Sequence, residues 1–384
     1  GSATQVLAGG AKTFNNINVN KSAGNLQLSS TVNLRGALTV SSSTTIESGG
    51  YLVLLSTSDG TSGNARIGSL PSGASITGNV IVQRYMADEG RIYRYISAPV
   101  SGYSVASLQA FVPITGSFSG ASTCTGCLNN PSMYRYNETI SGNADAGWEP
   151  FPVSSNTETL QTGRGYAVFV RDDIISGNVR IDWQGSIHQG SISLPVSYTN
   201  TGNPGGDGWN LVGNPYPSSI DWDFASGWSK TNISGTIAVR DNGSGTFRYW
   251  DGSAGSFANG EIATGQGFWV RATGSSPALT INELAKTSAT ATFYRVSEEP
   301  VDVLEMVLTN GQATDHAYIR YRQDALNTLD DYDGPKLRNA IFDLFTFSVD
   351  SIPMAINAVN NWNCEGPVYI GLRNMANGSY RISL

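Results

Sequence analysis

Charge is scarce in this chain of 384 residues: Asp, Glu, Lys and Arg make up only 14%, and the formal net charge is -7. No basic face of the kind that neutralises phosphates can be assembled from such a pool, so a nucleic-acid partner is not expected. Histidine occurs twice, at His188 and His316. Neither has a metal-type partner at i+4 or a Gly-x-Ser-x-Gly elbow to serve, which argues against a histidine-based nucleophile. Both read as solvated loop residues. No apolar run approaches the roughly 20 residues that span a bilayer, so membrane insertion is not expected. Lys and Glu are sparse while Gly, at 44 residues, Ser, Thr and Asn crowd the chain. That balance disfavours long helices and favours short strands joined by tight turns, an all-β protein of more than one domain. The Gly1-Ser2 start reads as a remnant of cloning, and the chain as a piece of a longer protein.

What is present is periodic. From Phe14 to Val82 the apolar residues come in alternating couples, Ile17/Val19, Leu26/Leu28, Val32/Leu34, Leu38/Val40, Leu52/Leu54 and Val80/Val82. Each couple reads as one very short strand, and the spacing fits stacked coils of a short parallel β-helix over residues 1–84. A small meander of hairpins is the alternative.

An internal duplication follows. Tyr93–Pro99 (YRYISAP) aligns with Trp209–Pro215 (WNLVGNP), Met133–Tyr136 (MYRY) with Thr246–Tyr249 (TFRY), and Gly163–Val170 (GRGYAVFV) with Gly265–Ala272 (GQGFWVRA). The order is kept while the offset shrinks from 116 to 113 to 102, as loop deletions in a second copy produce. The expected architecture is therefore a β-helix, two duplicated β-sandwich-like units at 85–196 and 197–290, and a terminal β-sandwich at 291–384. Each Gly-x-Gly precedes a strand, where a dinucleotide site requires a helix N-terminus.

The richest stretch, GWNLVGNPYPSSIDWD from Gly208 to Asp223, has its first half in the duplication, so Trp209 and Leu211 read as core and Pro215 and Pro217 as the end of pairing. Five of the eight Trp fall between positions 209 and 269, and Trp222, Trp228 and Trp250 are the candidates for a sugar-stacking surface. In the terminal region Asp330, Asp331 and Asp333 place three carboxylates within four residues, a candidate calcium loop, with Lys336 as a competing counter-charge. Two glycosidase carboxylates lie at no fixed sequence spacing, and no obvious catalytic domain remains once the solenoid, repeats and terminal unit are assigned.

The stretch Gly208–Asp223, the later IATGQGFWVRAT, and the acidic LDDYDGPKL followed by Ala355-Ile356-Asn357 resemble the region that precedes the sorting domain in large surface and secreted proteins of the type IX secretion pathway of Bacteroidota. The solenoid, the Gln83-Arg84-Tyr85 strand and the Ser97–Val100 turn fit the same resemblance, which covers nearly the whole chain. It implies an extracellular or outer-membrane-attached location and a sorting domain beyond Leu384. An export route is oxidising, and C-T-G-C sets two thiols across a turn, so a Cys124–Cys127 disulfide is expected, with Cys364 outside it.

Two functions follow as expectations. One is a non-catalytic structural or adhesive module, monomeric as a fragment, with calcium as the one candidate cofactor. The other is a carbohydrate-binding accessory to a polysaccharide-degrading enzyme. In both, the partner is an extracellular polysaccharide or surface ligand.

Overall fold

The computed structural model describes residues 2–57, 64–86, 91–123, 129–140, 144–170, 179–257, 260–288, 302–360 and 366–384, and it is nearly all β. The couples become short strands, most of three residues, that the chain visits in rotation through three parallel sheets. Gln5–Leu7, Leu26–Leu28, Thr45–Glu47 and Ser75–Thr77 form one, and Ile17–Val19, Ala37–Val40 and Arg66–Ile67 another. Lys12–Phe14, Val32–Leu34, Leu52–Leu54 and Val80–Met86 form the third. Gln5 lies beside Leu26 and Lys12 beside Val32, an advance of 21 and 20 residues per turn. The members of each apolar couple point inward, and Val32, Leu34, Leu54 and Val80 are fully buried. Outward positions bond between turns: Ser41 Oγ donates to Asn18 Oδ1 at 3.1 Å, and Asn16 Oδ1 accepts from Ala37 N at 2.7 Å.

The last strand of this stack does not end the sheet. Val80–Met86 pairs antiparallel with Val179–Gly185 along seven residues, which covers the open edge and carries one apolar core into the next unit.

Two four-stranded sheets follow with the same strand order. The first runs Ile92–Ile96, Tyr166–Val170, Met133–Tyr136, Trp148–Pro150; the second runs Trp209–Gly213, Gly267–Ala272, Ile233–Arg240, Phe247–Trp250. Tyr95 faces Ala167 as Leu211 faces Trp269, so the outer offsets of 116 and 102 hold in the pairing register. The middle match does not. Met133–Tyr136 takes the place held in the second sheet by Ile233–Arg240, and Phe247–Trp250 is the counterpart of Trp148–Pro150. The two arms of a hairpin had been exchanged, because both alternate and both carry aromatic residues.

The copies meet through their Gly-x-Gly turns, and the contacts are reciprocal. Ser97 N donates to Gly265 O and Gly213 N to Gly163 O, both at 2.9 Å. Ile96 bridges Gln266 while Arg164 bridges Val212. Under the outer offsets each contact is the image of the other, the pattern of a two-fold interface inside one chain. A Cβ on Gly165 would come within 2.6 Å of the Val212 carbonyl oxygen, so this approach needs glycine.

Ile192–Leu194 pairs with Ala278–Ile281 and thus joins the second unit, where that strand also pairs Trp228–Thr231. The terminal residues form one mixed seven-stranded sheet in which Thr314–Tyr321 and Pro353–Val359 run parallel. Its Tyr318 and Ile356 pack on the second unit. No helix of the described residues is long and apolar enough to cross a membrane.

Gly165→Ala is expected to destabilise the fold by about 1–3 kcal/mol through backbone overpacking. Gly366→Ala, which meets nothing within 4 Å, is the control and should stay within about 0.5 kcal/mol. Urea unfolding reads both; an unmoved midpoint for Gly165→Ala would remove the glycine crossing as a structural requirement.

Candidate functional site

Strand alternation sends Tyr93 and Tyr95 to one face of the first sheet and Ile96 to the core shared with the strand stack on the other. Tyr134, Tyr136 and Trp148 join the tyrosine face, and Phe247 and Trp269 meet them from the second sheet. Trp148 is fixed by rings on three sides, with centroids 5.4 Å from Tyr136, 5.6 Å from Trp269 and 5.7 Å from Tyr95. Beside this layer opens a cleft of about 410 Å³, closed on its third side by residues 337–340 of the terminal sheet. Tyr93, Tyr134 and Trp148 are half-buried in its wall, and Asp145 and Arg338 stand exposed at its mouth. Burial and the neighbouring Tyr134 push the Tyr93 hydroxyl up to about 12, so it remains a neutral donor.

A second groove, of about 800 Å³ and polar, lies along Arg135, Glu149, Gln161 and Arg164. Its charges are engaged. The Asn137 amide at 2.8 Å and the Arg135 guanidinium at 3.1 Å hold the Glu149 carboxyl below its usual range. Arg164 donates to Gln161 Oε1 at 2.8 Å and to the Tyr136 carbonyl at 3.2 Å. Glu158 Oε1 accepts the amides of Val153, Ser154 and Ser155, and buried Glu138 accepts those of Thr199 and Gly208. These carboxylates satisfy backbone donors that loops would otherwise leave unpaired.

The tryptophans singled out as a sugar surface are core. Trp222 is 1% exposed, and Trp228 and Trp250 are 8% exposed. Each indole N–H is already used: Trp222 donates to Gly235 O, Trp228 to Asp221 O and Trp250 to Asp223 Oδ2, all at 2.7 Å. Trp222 and Trp228 meet at 64°, with the Lys230 ammonium 3.3 Å from the Trp222 ring centre. No coplanar exposed platform results, because the alternation that spaces these residues turns them toward the second unit's core.

The acidic turn is also put to internal use. Asp330 accepts from Leu326 N at 2.6 Å and Tyr332 N at 2.8 Å, and Asp333 from Ala358 N at 2.8 Å and Asp330 N at 2.9 Å. Asp331 faces solvent, and no three His, Cys, Asp or Glu residues among those described gather as metal ligands. Lys336 turns away from this loop: its ammonium lies 2.7 Å from both oxygens of Asp315, in a fully buried pair. His316 lies in a strand rather than a loop, with Nδ1 2.7 Å from Glu305 Oε1, and His188 is half-buried near Thr162. Cys124, Cys127 and Cys364 lie outside the described residues.

Residues 3–247 match the model of a family described as a domain of unknown function, DUF8693. The chain belongs to that family. The DUF8693 match takes in the whole strand stack, the first sheet and the opening strands of the second, including every first-sheet ring of the cleft. No curated protein and no solved structure matches the chain.

The sequence reading passed over the cleft, although its signal was there: tyrosines at alternate positions in both Tyr93-Arg-Tyr95 and Tyr134-Arg-Tyr136.

Burial pushes the Asp333 carboxyl up to about 7, against the two amides that favour its charged form. A raised folded-state value means that its contribution to stability is complete below the ordinary carboxylate range, near 3.9, and is lost as pH rises through about 7. Carboxyl-carbon NMR should show Asp333 titrating near pH 7, with unfolding stability from this group falling between about pH 4 and 7. A midpoint below about 5 would contradict this. A melting temperature that climbs with millimolar calcium would restore the turn as an ion site.

Proposed function

We propose that this DUF8693 chain is a non-catalytic structural and adhesive module of a larger cell-surface or secreted protein. In this reading residues 1–84 are a parallel β-helix stalk, followed by a duplicated pair of sandwich-like units and a terminal unit. The observation that carries it is that packing, not linker, joins the parts. The stack shares a seven-residue antiparallel edge with the first unit, and the two units share the glycine crossing and the aromatic layer. The second unit is bound to the terminal sheet by Leu337 N to Tyr249 Oη at 2.6 Å, Phe247 N to Asn339 Oδ1 at 2.9 Å and the Arg320–Asp251 ion pair. Such continuity transmits load and holds surfaces in fixed relation, which display and attachment require and turnover of a substrate does not.

Export by the type IX pathway and a polysaccharide or surface ligand are part of the proposal and rest on the sequence resemblance. Engagement of Glu138, Glu149, Glu158 and Asp315 in internal bonds favours this reading over a glycosidase, whose paired carboxylates must face substrate.

Beads coated with the purified chain should adhere to acidic polysaccharide gels without releasing reducing ends, and beads coated with the chain lacking residues 85–290 should not. Release of reducing ends would overturn the non-catalytic assignment; equal adhesion after the deletion would overturn the role given to the repeats.

A further inference from the structure

The cleft between the two units leaves aromatic wall open to solvent. Tyr93, Tyr134 and Trp148 are only half-buried there and line a cavity of about 410 Å³. That volume falls within the range of roughly 300–1,000 Å³ typical of small-molecule sites. The surface is preformed. Trp148 is held by its three ring neighbours, and Tyr93 is set at 65° to Tyr134 and packed at 5.0 Å against Phe169.

Ring orientation narrows the ligand. Among the rings that line the cleft, Tyr93 meets Tyr134 at 65° and Trp148 meets Trp269 at 87°, so its walls stand at steep angles. A flat aromatic ligand would stack on one wall and leave the other empty. A pyranose ring offers C–H groups on both faces and hydroxyls around its edge, and so suits walls at an angle with polar groups at the rim. The wall supplies them in the Tyr93 and Tyr134 hydroxyls.

Charge narrows it further. In a chain of net charge -7, this mouth carries two arginines against one aspartate. Arg338 is exposed, and its guanidinium makes no hydrogen bond or ion pair among the described residues. A planar fork of donors held at the rim of an aromatic cleft is suited to a carboxylate.

We propose that the cleft binds an acidic saccharide, with the sugar ring against Tyr93, Tyr134 and Trp148 and its carboxylate on Arg338. This deepens the adhesive reading by giving it a ligand class and a location.

The test is titration of the purified chain with trigalacturonate, followed by tryptophan fluorescence and calorimetry. Maltotriose serves as the neutral probe and a proline-rich peptide as the protein-ligand probe. Saturable binding of trigalacturonate is expected, weakening with salt and about tenfold weaker in Arg338→Gln, a loss equivalent to about 1.4 kcal/mol. Tyr134→Leu, checked by its melting curve to be folded, should weaken both sugars. Absence of trigalacturonate binding, equal affinity for maltotriose, indifference to Arg338→Gln, or binding of the peptide alone would each overturn the proposal. Bead adhesion that persists without trigalacturonate binding would leave the module adhesive through another surface, so the two readings fail separately.

Discussion

Two glycine turns passing within backbone contact of each other fix the arrangement of the molecule. Where strands from different sheets cross, a side chain normally keeps the main chains apart; Gly165 and Gly267 remove it, and a Cβ on Gly267 would already lie 3.4 Å from Gly165 Cα. The gain is a backbone hydrogen bond made twice, once in each direction, so that an error in the position of either sheet breaks both. The residues that follow each turn are then aimed without further adjustment. Trp269 comes two residues after Gly267 and Ala167 two after Gly165, and both enter the same aromatic layer. Cleft, shared core and rigidity all descend from that crossing.

Scarcity of charge has its own structural consequence. Where charged groups are few, those inside are held by several partners at once. Asp315, fully buried, receives both contacts from Lys336 and also the amide of Leu344 at 2.7 Å. Asp343 receives Asn339 N at 2.8 Å and Arg373 Nε at 2.6 Å. Replacing such pairs by apolar residues is often neutral, whereas removing one partner strands a charge at a cost of about 3–5 kcal/mol. Their value here is therefore best sought in register: Lys336 and Asp315 bring the loop after Gly334–Pro335 onto the strand Thr314–Tyr321, and this positions Leu337 and Arg338 at the cleft.

Much of the fold was legible because burial writes itself into alternation. The couples from Ile17 to Val82 could be read as strands, and their recurrence every twenty or so residues reflects a turn of fixed circumference. The outer members of the duplication were legible because glycine and proline mark backbone geometry, which a diverging copy retains. Met133–Tyr136 was matched to the wrong arm of its hairpin because four alternating residues carry no direction. The tryptophans misled for a related reason: sequence gives their spacing, and spacing is the same for a ring facing solvent and one facing a second sheet. The cleft was harder still, since its walls come from residues between 93 and 167, between 240 and 269, and from 337–340, and only the crossing brings them together.

Divergence between the two copies explains why the layer they share is both packed and incomplete. At matched positions the first sheet carries Tyr95, Ala167 and Tyr134 across its strands, and the second Leu211, Trp269 and Ala238. Two identical faces brought together by a two-fold would place large residues on large and small on small, leaving clashes and voids. The substitution of sizes relieves this. Trp269 lies 4.6 Å from Tyr136 and 6.1 Å from Tyr95, filling the space that Ala167 leaves in the first sheet. On the outer side the second copy has no ring of equal reach to set against Tyr93 and Tyr134, and the loop at 337–340 closes only part of the gap. The same asymmetry that lets the duplicated sheets interlock therefore leaves tyrosine and tryptophan surface open at their margin, which is where a ligand can be held without disturbing the core.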